Sequence, residues 1–185
     1  MGRAASVEDE VIYARLAEVF RANGYAGASL SALSEAVGLQ RASLYHRFPS
    51  GKHGMAAAVL TSMEANFDTI LRPLVTAPDV ADGVAEMARR LALGYRDGRL
   101  ACVLDTMTLA GAPDDIKAQA GRLARTWVRA MADAAVRAGV GEEDALGRAR
   151  AALVRIEGAL VVARVLDDRS VFTQALGELP DLLTR

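Results

Sequence analysis

Residues Ser29–Lys52 read SLSALSEAVGLQRASLYHRFPSGK, a stretch holding two short amphipathic helices with a glycine between them. Ser29 is a favoured N-cap, Leu30, Leu33 and Val37 recur at helical spacing, and Gly38 breaks that helix. A second helix follows, carrying Leu44 and Phe48. The glycine lets the chain reverse without a Cβ clash, and Leu33, Val37, Leu39 and Leu44 lock the two helices together. That combination is what a helix-turn-helix requires. The second helix then exposes Gln40, Arg41, Ser43 and Arg47, which can hydrogen-bond base edges or phosphates once the helix enters a major groove.

The overall charge argues the other way until its distribution is considered. A formal net charge of −1 does not favour nucleic acid, whose binding is driven by clustered Lys and Arg. From Ala36 to Met63, however, there is no acidic residue, while Arg41, Arg47 and Lys52 lie inside that stretch with His46 and His53. One surface can be basic while the rest stays acidic.

Upstream, Ser6 with Asp9 three residues on is a variant of the capping box, and Ile12, Leu16, Val19 and Phe20 follow at helical spacing until Gly24. Three short helices thus occupy the first fifty residues. Downstream, Pro49-Ser50-Gly51 ends this group, and Ser50 can cap a long helix with Met55, Val59, Met63, Phe67, Ile70 and Leu74 inward. Past Pro73 and Pro78, helical stripes continue: Val80, Val84, Met87, Leu91 and Tyr95, a short segment from Cys102 to Leu109, then Ile116, Ala120, Leu123, Trp127 and Met131 up to Gly139. No strand, repeat or low-complexity tract is readable. The fold expected is all-α with about nine helices, divided into a helix-turn-helix domain over 1–50 and a helical ligand-binding and dimerisation domain over 51–185.

The last helices are apolar on more than one side. From Asp144 to Leu166 one stripe is Ala149, Leu153, Ile156 and Leu160, and another is Val154, Gly158, Val161 and Val165. A helix apolar on two sides needs two partners. The chain's own body can cover one stripe and a second copy the other, with Gly158 allowing close backbone approach. Phe172, Leu176 and Leu179 repeat the pattern after Ser170 and join the expected dimer interface, although Pro180 should shorten or kink their helix. Met63, Phe67, Met87, Leu91, Tyr95, Met107, Thr108, Trp127 and Met131 would fill core by default. Their excess of Met and aromatics also suits an apolar ligand pocket, with Tyr95, Thr108 and Trp127 supplying polar tips.

Other function classes find little support. There is no Ser-His-Asp order, no His-x-x-x-His, no Gly-rich phosphate loop after a strand and no carboxylate pair on an apolar helix face, so an enzyme with a helical core is not indicated. Two histidines are too few for a metal site, and no cofactor is implied. The single Cys102, among Ala101, Val103 and Leu104, reads as a small core residue and suits a reducing cytoplasmic compartment. No segment approaches the ~18 apolar residues of a membrane span, and the acidic N-terminus lacks a signal peptide's apolar run. A helical interaction protein with a degenerate head remains the competing reading. A salt titration of binding to random DNA separates it, because phosphate neutralisation makes affinity fall steeply with salt.

Phe20, Gly24-Tyr25, the Ser29-Leu30 start, Leu33 to Gly38 and Leu44-Tyr45-His46-x-Phe48 together resemble the head of the TetR family of transcriptional regulators. The resemblance implies a nine-helix α fold, a homodimer on a double-stranded DNA operator, and usually a repressor released by a small-molecule effector. Carried over by position, it implies that Ser29 meets a phosphate, that Tyr45 and His46 lie against the DNA backbone, that Lys52 grips a phosphate, and that Gln40, Arg41 and Ser43 face bases. This sequence departs from the common pattern in Gln40, where Ser or Thr is usual, in an extra residue at Gly51, and in His53-Gly54. The Phe-Pro-Ser-Gly-Lys form is similar to the branch of lincomycin-resistance-type repressors.

Overall fold

A computed structural model describes residues 7–185, so Ser6, the expected cap of the first helix, lies outside the described residues. Eleven helical segments and no strand occur among them: α1 (Val7–Gly27), α2 (Leu30–Val37), α3 (Arg41–Arg47), α4 (Lys52–Leu71), α5 (Pro73–Thr76), α6 (Val80–Gly94), α7 (Val103–Thr106), α8 (Asp114–Arg137), α9 (Glu142–Val165), α10 (Ser170–Gly177) and α11 (Leu179–Thr184). Since α5 and α7 are single turns of four residues, nine longer helices remain. The all-α expectation of about nine is met. The chain divides into two compact units, Met1–Ala65 with Val103–Arg122, and Asn66–Cys102 with Leu123–Arg185.

In the first unit the amphipathic stripes meet in one core. Ile12, Leu16 and Phe20 of α1, Leu33 and Val37 of α2, Leu44 of α3 and Met55 and Val59 of α4 are all buried. Each such side chain contributes roughly 1.5–3 kcal/mol by leaving water. α1 is longer than the three-short-helix reading implies. Gly24 does interrupt it, with φ 64° and ψ 178°, but one further helical turn carries on to Gly27. The interruption needs glycine, because a Cβ there would sit 3.3 Å from the Thr106 carbonyl of α7 as well as at positive φ.

The second unit is built on α9. Its inward face buries Ala145, Ala149, Ala152, Ile156, Ala159, Leu160 and Ala163, and the alanines among them let α10 come close. Pro180 behaves as the sequence suggested, though by a cleaner route than a kink: α10 ends at Gly177, and Pro180 occupies the first turn of α11, where no intrahelical N–H is needed.

On α6, Glu86 accepts hydrogen bonds from Arg89 Nε at 2.6 Å and Arg90 Nε at 2.7 Å, and Arg90 Nη1 donates to the Thr69 carbonyl at 2.6 Å. These side-chain bonds hold the Glu86 carboxyl down at about 2, against an ordinary value of 4.5. A depressed carboxyl stabilises the fold fully above its unfolded pKa and loses that contribution as pH falls through the folded one. Glu86→Gln should therefore be less stable than the parent at neutral pH, with the gap closing between pH 4.5 and about 2. Thermal midpoints measured down that range check it; a gap that stays constant contradicts the linkage.

Candidate nucleic-acid interface

The turn between α2 and α3 forms as its residues demand. Ser29 adopts extended backbone and its Oγ accepts from the Ala32 N–H at 3.1 Å. Gly38 closes α2 in the left-handed region, φ 71° and ψ 23°, with its N–H donating to the Glu35 carbonyl at 3.1 Å. The Leu39 N–H donates to the Ser34 carbonyl at 3.2 Å, and the Ser34 hydroxyl returns a bond to the Leu39 carbonyl. The turn is thereby fixed from both sides. Leu33, Val37 and Leu44 are buried across it and Leu39 is half-buried.

From this anchor α3 presents an outward face. Gln40, Arg41, Ser43, Tyr45 and His46 are all exposed, and Tyr45 leaves 44% of its surface open. Gln40 begins α3 without a side-chain cap bond, so its amide is not committed to the helix end. Arg41 is less free: its Nη2 donates to the hydroxyl of Ser31, across an open groove lined also by Ser34, Glu35, Gly38, Leu39 and Gln40. Tyr45 lies along the Gly51 turn, where a Cβ would stand 3.3 Å from its Cε1.

Arg47 and Lys52 differ from the rest. Arg47, read from the sequence as part of the exposed set, is half-buried and forms an ion pair with Asp9 of α1. Lys52 is also half-buried; its Nζ donates to the Ala26 carbonyl at 3.2 Å and stands 4.8 Å from the centre of the Tyr25 ring. A cation at the carbonyl end of α1 suits that helix's dipole. Ser31 and Asp9 are the two functional partners that sequence reading missed. Neither has a local signal, since each matters only through an arginine distant in sequence.

Further along α4, His53 Nε2 lies 2.7 Å from Asp115 Oδ2 of α8. The bond from His53 holds the Asp115 carboxyl below its usual range, and burial followed by the Asp115 charge pushes the Tyr25 phenol up.

The residues expected to bind a ligand divide between the units. Met63 and Met107 are buried in the first; Phe67, Met87, Leu91, Tyr95, Trp127 and Met131 are buried in the second. Thr108 does not fit the expectation. It is exposed, and its hydroxyl donates back to the Asp105 carbonyl at 2.8 Å, a local turn bond rather than a tip aimed inward. The Tyr95 hydroxyl is engaged with Cys102 Sγ at 3.5 Å.

The expected dimer residues separate as well. Val154, Gly158, Val161 and Val165 are exposed, together with Val162 and Leu166, which extend the same apolar strip. Nothing lies within 4 Å of where a Gly158 Cβ would be. Phe172, Leu176 and Leu179 are instead buried at 0%, 4% and 0% exposure within the chain itself. The correction has a plain cause: α10 and α11 fold back on α9, so their apolar stripe meets the inward face.

Among the described residues no helix is long and apolar enough to cross a membrane, and no three His, Cys, Asp or Glu side chains gather as a metal site.

No curated protein sequence matches the chain. Solved structures do resemble it in fold. A TetR transcriptional regulator from Legionella pneumophila is 17% identical with a TM-score of 0.86, over 98% of this chain and 100% of that one. A TetR family regulator from Agrobacterium tumefaciens is 17% identical with a TM-score of 0.82, over 96% and 98%. A cysteine-substituted form of the TetR family regulator CifR, complexed with 26 bp double-strand operator DNA, is 23% identical with a TM-score of 0.75, over 99% and 98%. Two family models match the sequence itself. One, described as bacterial regulatory proteins, tetR family, covers residues 12–59 and so includes the whole turn. The other, described as transcriptional regulator LmrA/YxaF-like, C-terminal domain, covers residues 77–177, more than half of the chain. With its helix-turn-helix and its helical body each matched in this way, the chain belongs to the TetR family of bacterial transcriptional regulators, a family of DNA-binding proteins rather than enzymes.

Proposed function

We propose that this regulator is a cytoplasmic homodimer that binds a near-palindromic operator, acts as a repressor, and is released from DNA by a small apolar or aromatic molecule. The observation that carries the reading is the outward face of α3, where Gln40, Arg41, Ser43, Tyr45 and His46 stand exposed in a stretch free of carboxylates from Ala36 to Met63. The CifR structure, solved on operator DNA, supports the same use of a similar fold.

In this reading Gln40, Arg41 and Ser43 face base edges, while Ser29, Tyr45, His46 and Lys52 hold the phosphate backbone. Ser29 accepts its cap bond through oxygen and keeps its O–H to donate, and Lys52 has two N–H groups beyond the one given to Ala26. Arg47, with its charge met by Asp9, ties α3 to α1. The head is residues 1–50 and the ligand-binding and dimerisation domain 51–185. Residues Val154, Gly158, Val161 and Val165 form the isologous interface, extended by Val162 and Leu166, and it sets two recognition helices about 34–36 Å apart, one turn of B-DNA. Of the expected ligand-binding residues, Phe67, Met87, Leu91, Tyr95, Trp127 and Met131, all buried in the second unit, surround the effector. Ligand must prefer the state that cannot hold DNA, since coupling between the two sites is reciprocal.

Selection of bound sequences from a random DNA pool tests the proposal, with a palindromic motif expected. Protein that ignores every sequence at low ionic strength overturns it. On the recovered motif, Arg41→Ala should weaken binding by about 1–3 kcal/mol and relax preference at one base pair per half-site. Arg47→Ala should leave that preference intact and lower stability by about 0.5–1 kcal/mol, the worth of a half-exposed ion pair. Competition against single-base variants of the motif, with thermal melting alongside, distinguishes the two roles.

A further inference from the structure

Trp127 stands on α8 with 3% of its surface exposed, and its indole Nε1 is buried with no hydrogen-bond partner. One turn to either side on the same helix face are Leu123 and Met131, both apolar and buried. Across from the indole is Phe67 of α4, with 4.9 Å between ring centroids and 81° between planes. A ring face is at best a weak acceptor for an N–H. None of these neighbours supplies an oxygen or nitrogen.

A buried donor left unmade carries the full penalty of its lost hydration, and such groups are rare enough in folded proteins that each requires a reason. Packing does not provide one, because a Phe at this position would fill most of the same space with no polar atom. The surroundings narrow the alternatives. No Asp, Glu, Lys, Arg or His of this unit is among the buried residues, and the buried Thr106 belongs to the other unit. The Tyr95 hydroxyl is engaged with Cys102. An ionised guest beside Trp127 would thus lie in an apolar interior without a counter-charge, which is strongly unfavourable. A pure hydrocarbon would leave the N–H as it is. Met131, unbranched and polarizable, can repack around a guest at low cost.

We infer that the effector is a neutral molecule with an apolar, aromatic-sized body and a hydrogen-bond acceptor, and that the Trp127 Nε1–H donates to that acceptor. This rests on the ligand-responsive reading above and specifies the ligand's class. The binding step then has a built-in preference, since a matched ketone satisfies the donor and its hydrocarbon counterpart does not.

Trp127 is the only tryptophan in the sequence, so a proton–nitrogen correlation spectrum of the full-length protein contains one indole signal. Two triplets of probes are titrated: ethylbenzene, acetophenone and benzoate, then ethylnaphthalene, acetonaphthone and naphthoate. The ketone of the better-fitting size should move the indole proton downfield to saturation and bind roughly ten-fold tighter than its hydrocarbon, the worth of one added hydrogen bond. Neither carboxylate should move the signal. Trp127→Phe should bind ketone and hydrocarbon alike. The inference is overturned if neither ketone moves the signal, if hydrocarbon and ketone bind equally in both triplets, if a carboxylate binds best, or if the indole of the free protein already shows the shift of a water-bonded N–H. The spectra of the parent protein decide this even where Trp127→Phe fails to fold. DNA binding is measured on the same samples without probe. Protein that holds DNA but keeps an unmoved indole fails this inference alone, while a moved indole in protein that ignores all DNA fails the regulator reading.

Discussion

Val154→Asp with Val165→Asp is expected to yield a folded monomer whose operator affinity falls by roughly a hundred- to ten-thousand-fold. The two valines are 71% and 77% exposed in the single chain, so carboxylates there remain in water and cost the monomer little. In a two-fold interface built on α9 the same carboxylates would be taken from water into an apolar partner surface, and that is strongly unfavourable. The loss on DNA follows from geometry rather than from any altered contact. Two heads held on one dimer bind the second half-site as an intramolecular event, and the avidity gained by such linkage is about 10²–10⁴. Light scattering behind gel filtration reports the mass, and titration of a full palindrome against a single half-site reports the affinity. The variant should bind both DNAs with the same weak affinity. A double variant that still runs as a dimer removes α9 from the interface.

The division between what was legible in the sequence and what was not follows the range of the interactions. Caps and turns are set by neighbours, so Ser29, Gly38 and the buried Leu33, Val37 and Leu44 fell where periodicity put them. The two faces of α9 were also readable, because Val154, Gly158, Val161 and Val165 recur at helical intervals against a second stripe. Partners fixed by tertiary packing were not. Nothing near Arg47 announces Asp9, and nothing near Arg41 announces Ser31, yet both arginines are held by them. The same cause explains Thr108, whose turn bond to Asp105 depends on α7 being a single turn. Phe172, Leu176 and Leu179 show the limit most clearly. An apolar stripe states that a face must be covered; it does not state by which chain.

That distinction makes Phe172→Ala the complementary test, with an expected loss of about 3–5 kcal/mol and a fall in thermal midpoint on the order of 10 °C. Phe172 has no exposed surface and meets Tyr95 edge-on at 6.1 Å between centroids. The backbone at Gly98 approaches so closely that a Cβ there would come within 2.8 Å of the Phe172 Cβ. Truncation therefore opens a cavity between segments that cannot easily collapse, since α10 is bound to α9 along the inward face. If Phe172 belonged to a dimer contact, its loss would be felt through association and would shrink in any variant that is already monomeric. If it belongs to the chain's own core, the destabilisation should be the same in the parent and in the Val154→Asp, Val165→Asp background, because the sites share no partner and their effects add. Denaturant unfolding of the four proteins, with the parent dimer measured at two concentrations, resolves the two cases. A Phe172→Ala effect that vanishes in the monomeric background would return α10 to the interface.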